Sequence, residues 1–364
     1  MADPPSKRPG PLPGPPPLVP SVTPPLPGSR VAPPPPPPPS TSRLPPPPPS
    51  SSGRGVGAPP PSGVSIPPPP SRTSSSGVGT VAFLGLGGMG APMAMNVARR
   101  GFALQVWNRT RERAAGLTTL GATLKMSPRE CVEGARIVVT MVADERALTD
   151  LLAGPNGVLA GLEKDAVLVD MSTIGRAAAL RVAQDVRAVG ARFIDAPVSG
   201  SPGPAESGEL VALVGGKLND NTRAQPVLMA MCKRLLHAGD VGQGQALKVL
   251  MNGIALQQAV ALASMIALGE KAGVPRRTLL EAFTTGAVAT PTYTAKRERL
   301  LGKDFTPDMT LEMALKDARL NVELQKEVGL PIAVHHEIVR TLEKAVEEGL
   351  GPEDAYAIEK YFKL

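Results

Sequence analysis

From residue 77 onward, short apolar runs alternate with stretches of helical periodicity. The apolar runs are four to six residues long and are rich in Val, Ile and Leu, which is typical of buried strands. The predicted strands are Thr80–Leu84, Ala103–Trp107, Ile137–Val142, Ala166–Asp170, Arg192–Asp195, Leu210–Val214 and Arg234–His237. The helical stretches between them are Ala91–Arg100, Glu145–Leu152 and Ala177–Val189. This alternation predicts an α/β domain with a mostly parallel sheet over residues 78–241.

The strand signal stops at about Gly242. Helical periodicity or propensity continues in four segments that glycine or proline residues separate. These segments are Gln245–Ala272, Arg276–Thr285, Leu311–Val328 and Val334–Glu348. We therefore expect an all-α domain over residues 242–364, beginning with a long interdomain helix.

Residues 1–77 have a composition of their own, with 31 of the 43 prolines and no Phe, Tyr or Trp. Proline cannot donate a backbone hydrogen bond, and so little apolar surface cannot offset the conformational entropy lost on folding. The composition predicts a disordered proline-rich tail. Its Pro-x-x-Pro runs could bind SH3-like or WW-like modules, or the tail could be only a spacer.

The tail also carries most of the formal charge. It contributes +5 of the net +7, and the remaining +2 is ordinary for an enzyme, so we expect no nucleic-acid binding. The two cysteines and three histidines have no ligand spacing, so we expect no metal. There is no secretory signal pattern, and the longest apolar stretch, Gly253–Gly269, is short for a membrane span. We therefore expect a soluble cytoplasmic protein with no membrane association.

A glycine-rich motif follows the first predicted strand and precedes the first helix. Gly85-Leu-Gly-Gly-Met-Gly90 fits the spacing G-x-G-x-x-G, which gives a tight turn, a close backbone approach to a pyrophosphate and close helix–strand packing. The helix N-terminus would add N–H groups and the positive end of the helix dipole. The motif predicts a Rossmann-type dinucleotide site at Gly85, Leu86, Gly87, Gly88, Met89 and Gly90.

The end of the second predicted strand indicates which dinucleotide binds. An NAD enzyme places Asp or Glu there to hold the ribose hydroxyls, whereas this chain has Asn108-Arg109-Thr110. Arg109 can pair with a 2′-phosphate, and Asn108 and Thr110 can donate to its oxygens. The pattern favours NADP(H), with NAD(H) possible.

Two further segments carry candidate chemistry. Ser199 and Gly200 lie in a polar loop that could bind a substrate carboxylate or be a plain turn. Lys248 and Asn252 are four residues apart, so they share one face of an otherwise apolar predicted helix. An ammonium group there could stabilise charge on a carbonyl oxygen and donate a proton to it, with the amide fixing the geometry.

Four blocks in order resemble the β-hydroxyacid dehydrogenase family, the group that contains 3-hydroxyisobutyrate dehydrogenase and glyoxylate/succinic semialdehyde reductase. The blocks are Phe83–Asn96, Asp170–Thr173, Asp195–Gly200, and Gly244 to Asn252 with Lys316-Asp317 beyond it. The resemblance covers residues 77–364 and implies an NAD(P)-dependent oxidoreductase acting on CH–OH groups. Separately, the apolar character of the second domain suggests a homodimer or homotetramer.

Carried over by position, the resemblance implies a role for each matched residue. Lys248 would be the general acid and Asn252 its partner, with Thr173, Ser199, Gly200 and Asp317 on the substrate side. Lys316 would close over the cofactor, and Thr173 would also lie beside the nicotinamide. The loop that follows the cofactor ribose would be Met141, Val142, Ala143 and Asp144.

Within the family, the residues around Arg109 and Ser199 look most like the glyoxylate/succinic semialdehyde reductase branch. Two departures leave the substrate open, because Met309 replaces an aromatic residue, and Pro202 and Gly203 replace basic ones. One alternative is a 3-hydroxyisobutyrate or tartronate semialdehyde-type dehydrogenase. Another is an inactive scaffold acting through its tail, which the retained Lys248 disfavours.

Overall fold

The computed structural model describes residues 77–363. The predicted tail therefore lies outside the described residues, apart from Gly77. Within them, nine strands form one sheet: β1 Thr80–Leu84, β2 Leu104–Trp107, β3 Thr123–Leu124, β4 Ala135–Thr140, β5 Val167–Asp170, β6 Arg192–Asp195, β7 Val198–Ser199, β8 Leu210–Gly215 and β9 Cys232–Gly239. The order β3-β2-β1-β4-β5-β6 is that of a Rossmann fold, and every pair within it is parallel.

The last three strands extend the sheet beyond β6. Strand β8 pairs antiparallel with β6 and β7, and parallel with β9. The mostly parallel sheet predicted from the strand–helix alternation is confirmed.

Eight helices accompany this sheet: α1 Gly90–Arg99, α2 Ala115–Thr118, α3 Pro128–Val132, α4 Glu145–Leu152, α5 Val158–Gly161, α6 Arg176–Ala188, α7 Pro202–Ser207 and α8 Leu218–Met231. They cover both faces of the sheet. In β1, Val81 and Phe83 belong to one apolar cluster, whereas Ala82 and Leu84 belong to the cluster on the opposite face. Burial on both faces explains why the strands read as continuous apolar runs rather than as alternating patterns.

The chain is helical after β9: α9 Gln243–Lys271, α10 Arg276–Thr285, α11 Pro291–Leu301, α12 Leu311–Val328, α13 Ala333–Ala345 and α14 Ile358–Tyr361. The long helix α9 is central, and its buried residues pack in two clusters with residues of α10 to α14. Of the helices described, α9 alone is long and apolar enough to cross a membrane, a test based on length and composition that a core helix also passes. The predicted all-helical second domain is confirmed.

Some predicted boundaries were wrong. The run Ile137–Val142 leaves the sheet at Thr140, and the last two residues form a loop over the carboxyl edge. The segment Val334–Glu348 ends as an α-helix at Ala345 and continues as a π turn through Gly349, whose φ of 85° is left-handed. Seven helices and two short strands were not predicted from the sequence: α2, α3, α5, α7, α8, α11, α14, β3 and β7. In α8 the interior Pro226 removes a backbone donor, which argues against a helix from sequence alone.

Candidate active site

The glycine turn between β1 and α1 is shaped by two contacts that leave no room for a side chain. A Cβ on Gly85 would lie 2.2 Å from the Met141 carbonyl oxygen, and one on Gly90 would lie 2.0 Å from the Gly85 carbonyl oxygen. Gly85 also has a φ of +99°, which L-residues rarely adopt. By contrast, Gly88 has no neighbour within 4 Å of the position a Cβ would take. An open turn at the N-terminus of a ten-residue helix fits a dinucleotide pyrophosphate.

Asn108 holds this turn from the end of β2. Its Oδ1 accepts from the Leu86 N–H at 2.8 Å, and its Nδ2 donates to the Thr110 carbonyl at 2.7 Å. The side chain is therefore engaged within the protein, although the sequence interpretation assigned it to the cofactor phosphate. Arg109 and Thr110 are exposed beside the turn, where a charged ligand group could reach them.

Sequence reasoning did not single out Arg113. Its Nη1 lies 3.9 Å from the Cβ position of Gly87, so the guanidinium group stands over the glycine turn. The available signal was its place in the same basic loop, four residues after Arg109.

The loop after β4 runs along the same sheet edge. Met141 N–H donates to the Leu84 carbonyl at 2.9 Å, and Val142 N–H donates to Ser172 Oγ at 2.9 Å. Asp144 accepts from Ala147 N–H at 2.8 Å and so caps α4. The loop is therefore fixed at both ends.

Lys316 lies on α12 of the helical domain, and its side chain reaches this edge of the sheet. Its Nζ donates to the Thr173 carbonyl at 2.8 Å and to the Ala143 carbonyl at 3.2 Å. One ammonium group thus joins the helical domain to two sheet loops that the sequence assigned to the cofactor.

Lys248, Asn252 and Asp317 lie together where α9 packs against α12. Asn252 Nδ2 donates to Asp317 Oδ2 at 2.6 Å, and Lys316 Nζ is 3.1 Å from Asp317 Oδ1. Burial lowers the pKa of Lys248, Asp317 raises it, and Lys316 lowers it again. Within residues 77–363, no hydrogen bond engages the Lys248 ammonium group, although one carboxylate, Asp317, and one further ammonium group, Lys316, lie near it.

Close helix packing brings these groups together. A Cβ on Gly253 would lie 2.5 Å from Asn321 Nδ2, and that amide donates to the Val249 carbonyl at 3.2 Å. The small residue next to Asn252 therefore allows α12 to approach α9 at the point where Lys248 and Asp317 meet.

Ser199 and Gly200 stand further along the sheet edge. Ser199 belongs to β7 and pairs with Val211, while Gly200 has a φ of +139°. Among the described residues, no hydrogen bond joins either of them to Lys248 or Thr173, and their place at the substrate carboxylate stays a prediction.

Two buried carboxylates lie beneath the loops. Asp170 accepts from Thr140 Oγ1 at 2.9 Å and from Ser172 Oγ at 2.7 Å, and burial raises its pKa to about 7. Asp195 accepts from Gly242 and Gln245 N–H groups, and burial raises its pKa to about 6. The described residues contain no group of three or more His, Cys, Asp or Glu side chains that could hold a metal ion.

Comparisons with known proteins agree with this geometry. A family model for the NAD binding domain of 6-phosphogluconate dehydrogenase matches residues 80–239. A second, for the NAD-binding region of NADP-dependent 3-hydroxyisobutyrate dehydrogenase, matches residues 242–362.

Individual relatives extend the match. Glyoxylate/succinic semialdehyde reductase 2 of Arabidopsis thaliana is 33% identical over 279 residues, which is 77% of this chain and 78% of the relative. Reductase 1 of the same plant is 31% identical over 278 residues, which is 76% of this chain and 96% of the relative. The crystal structure of 3-hydroxyisobutyrate dehydrogenase from Salmonella typhimurium superposes with a TM-score of 0.71 at 26% identity, covering 78% of this chain and 99% of that one.

The matches confirm the resemblance found in the sequence, together with the Rossmann-type and helical domains and the nicotinamide dinucleotide cofactor. The chain belongs to the β-hydroxyacid dehydrogenase family, and it is an NAD(P)-dependent oxidoreductase that acts on CH–OH groups.

Proposed function

We propose that this protein reduces a small aldehyde acid of the glyoxylate or succinic semialdehyde type to the hydroxy acid, using NADPH, with Lys248 as the general acid. The observation that carries the proposal is the group of Lys248, Asn252, Lys316 and Asp317 between the two domains, next to the Thr173 loop. The two Arabidopsis reductases named above support the substrate class.

When bound, the nicotinamide would supply a hydride to the carbonyl carbon, and the residues of this chain would handle the charge and the proton. As negative charge grows on the carbonyl oxygen, the Lys248 ammonium group stabilises it and transfers a proton to it, leaving a neutral amine that solvent protonates again. Asp317 holds the Asn252 amide, which positions the carbonyl. The Ser199 hydroxyl and the Gly200 N–H would bind the substrate carboxylate, which distinguishes an aldehyde acid from a plain aldehyde.

The preference for NADP rests on charge at the end of β2. The three residues directly after this strand, Asn108-Arg109-Thr110, include no carboxylate. Two exposed arginines follow the strand, Arg109 and Arg113, and the Arg113 guanidinium group lies beside the glycine turn. A 2′-phosphate would gain charge-assisted hydrogen bonds there, whereas the NAD ribose hydroxyls would lack the acceptor they use in NAD enzymes.

We also propose that the chain forms a homodimer or homotetramer. An apolar stripe on α9 stays exposed in the single chain, with exposed fractions of 53% for Leu250, 60% for Ile254, 46% for Met265 and 60% for Leu268. At about 100° per residue these positions fall within roughly 60° of one another, so they form one face. A second copy of the chain is the occupant we expect. Size-exclusion chromatography with light scattering measures the molar mass in solution, and the mass of a monomer would contradict the proposed assembly.

The test is a panel of aldehyde acids assayed with NADPH and with NADH: glyoxylate, succinic semialdehyde, tartronate semialdehyde and methylmalonate semialdehyde. We expect the highest kcat/KM for one of the first two with NADPH. A clear preference for methylmalonate semialdehyde with NADH would instead favour a 3-hydroxyisobutyrate dehydrogenase. Tight NADPH binding with no turnover across the panel would favour the inactive scaffold.

A further inference from the structure

Gln245 is a buried side chain whose polar atoms all face the other domain. It lies in the first turn of α9 and has no exposed surface. Its Oε1 accepts from the N–H groups of Ile174 at 3.1 Å and Gly175 at 3.2 Å, and its Nε2 donates to the Ser172 carbonyl at 2.7 Å. The amide therefore binds the backbone on both sides of Thr173, the residue assigned to the nicotinamide and substrate.

The backbone at the same place is fixed by Asp195 at the end of β6. Its carboxylate accepts from Gly242 N–H at 2.7 Å and from Gln245 N–H at 2.8 Å, as an N-cap side chain would, although it comes from another element. The approach is close, since a Cβ on Gly244 would lie 2.2 Å from the Leu213 carbonyl oxygen. The start of α9 is thus held against the sheet at a defined depth.

Ser172 extends this contact to the cofactor loop. Its carbonyl accepts from Gln245, its Oγ accepts from Val142 N–H at 2.9 Å, and the same Oγ donates to Asp170 at 2.7 Å. The loop after β4, the segment Ser172–Gly175 and the first turn of α9 therefore form one hydrogen-bonded unit.

We propose that Gln245 is a positioning residue for hydride and proton transfer. Its hydrogen bonds fix how α9 is rotated about its axis and how closely its first turn approaches Ser172–Gly175. The Lys248 ammonium group would then lie within reach of a substrate carbonyl bound next to Thr173. Lys248 is three residues further on, which is about 4.5 Å along the helix axis and roughly 60° around it. The inference rests on the proposed role of Lys248 as general acid. Displacing a reacting group by about 1 Å can cost on the order of 100-fold in rate.

The chemistry of the amide explains why glutamine suits this position. It must accept two N–H groups with one atom and donate to a carbonyl with the other, and glutamine does both at any ordinary pH. Glutamate has the same shape, but its ionised form would set a carboxylate oxygen against the Ser172 carbonyl. Only its protonated form could donate there.

The first experiment is hydrogen exchange on the cofactor-free protein. In Gln245→Ala the amides of Ile174 and Gly175 should exchange faster, while amides in the central strands β4 and β5 keep their protection. The matched control is Gln243→Ala, in the same helical turn, because the Gln243 side chain makes no hydrogen bond among residues 77–363. Unchanged exchange at Ile174 and Gly175 would overturn the proposal. This result does not depend on which substrate the enzyme reduces.

The second experiment uses kinetics. Gln245→Ala should lower kcat by about 10–100-fold, with the NADPH Kd nearly unchanged. Gln245→Glu should have a low kcat at neutral pH. As the pH is lowered and the new carboxyl group takes up a proton, the ratio of its kcat to that of the unmodified enzyme should rise. Asp170 and Asp195 titrate nearby, with pKa values of about 7 and about 6, so the unmodified enzyme measured at the same pH is the reference.

A double-mutant cycle then separates the two claims. If Gln245 acts through Lys248, adding Gln245→Ala to Lys248→Ala should cost far less than it costs alone. Full additivity would show that Gln245 does not act through Lys248. If instead the unmodified enzyme turns over no aldehyde acid, or Lys248→Ala is as fast as the unmodified enzyme, the proposed function fails, and hydrogen exchange still decides whether Gln245 clamps the Thr173 segment.

Discussion

The two sides of the candidate active site, one on the sheet and one on the helices, differ in which atoms they use. On the sheet side, the dinucleotide turn is made of backbone. Its shape depends on two glycines, Gly85 and Gly90, at which an added Cβ would lie only 2.0–2.2 Å from a carbonyl oxygen. On the helical side, the chemistry belongs to long side chains of α9 and α12, namely Lys248, Asn252, Lys316 and Asp317. On the sheet side, a substitution would disrupt the turn by steric collision. On the helical side, a substitution would reduce activity by removing one charge or by displacing a helix.

The difference predicts that cofactor binding and catalysis can be damaged separately. Two side chains of the helical domain, Lys316 and Gln245, hydrogen-bond to the loops around Thr173 and Ala143. Variants of the glycine turn should therefore change cofactor affinity with little effect on the chemical step. Variants of the helical side chains should change kcat with little effect on cofactor affinity.

The largest expected effect comes from Lys248→Ala. Removing the proton donor should lower kcat by roughly 10²–10⁴, the range for a positioned general acid. The NADPH Kd should change little, because the dinucleotide is held by the glycine turn in the other domain. Lys271→Ala, an exposed lysine at the far end of the same helix, is the control and should behave like the unmodified enzyme. Normal turnover in Lys248→Ala would remove the proposed mechanism.

A smaller effect, on folding rather than chemistry, is expected from Gly90→Ala. The new Cβ would collide with the Gly85 carbonyl oxygen, so the turn must shift, at a cost of about 1–3 kcal/mol. Gly88→Ala is the matched control in the same turn, because nothing lies within 4 Å of its Cβ position. Thermal unfolding of both variants measures the difference. Equal melting temperatures would mean that backbone packing does not constrain the turn.

Arg109→Ala should weaken NADPH binding selectively. A lost charge-assisted contact is worth about 1.5–3 kcal/mol, so the Kd for NADPH should rise tenfold or more while that for NADH stays nearly constant. Arg111→Ala is the control, since Arg111 contacts the Met126 sulfur rather than the glycine turn. Equal losses for both cofactors would withdraw the assignment to NADP.

The smallest effect is a shift of the pH profile. In the reduction, Lys248 must be protonated, so kcat should fall as the pH rises through its pKa, which burial lowers from the usual lysine value. Asp317 raises this pKa, so Asp317→Asn should move the alkaline limb of kcat to lower pH. Lys316 lowers it, so Lys316→Gln should move the limb to higher pH. Shifts in the same direction for both variants would mean that another group titrates.

Local patterns were sufficient for much of the fold. Arg192–Asp195, Glu145–Leu152, Arg276–Thr285 and Leu311–Val328 have the bounds predicted for them, because apolar periodicity and glycine or proline boundaries act over a few residues. Two helices, α8 and α11, were not predicted because residues within or at the start of each are unusual for a helix. Pro226 lies inside α8, and the polar start of α11 hid a helix that Thr290 caps by accepting from Tyr293 N–H.

The sequence by itself determined the glycine turn, the absence of an acid after β2 and the family, since each depends on residue types at fixed spacing. Only the tertiary structure decided which groups meet. Lys316 reaches the Ala143 carbonyl 173 residues away, and Gln245 reaches Ser172 across 73 residues. Asn108, expected at the phosphate, instead holds the Leu86 N–H. Such contacts depend on how closely two helices pack and how deeply one enters the sheet edge, and periodicity along the chain specifies neither distance.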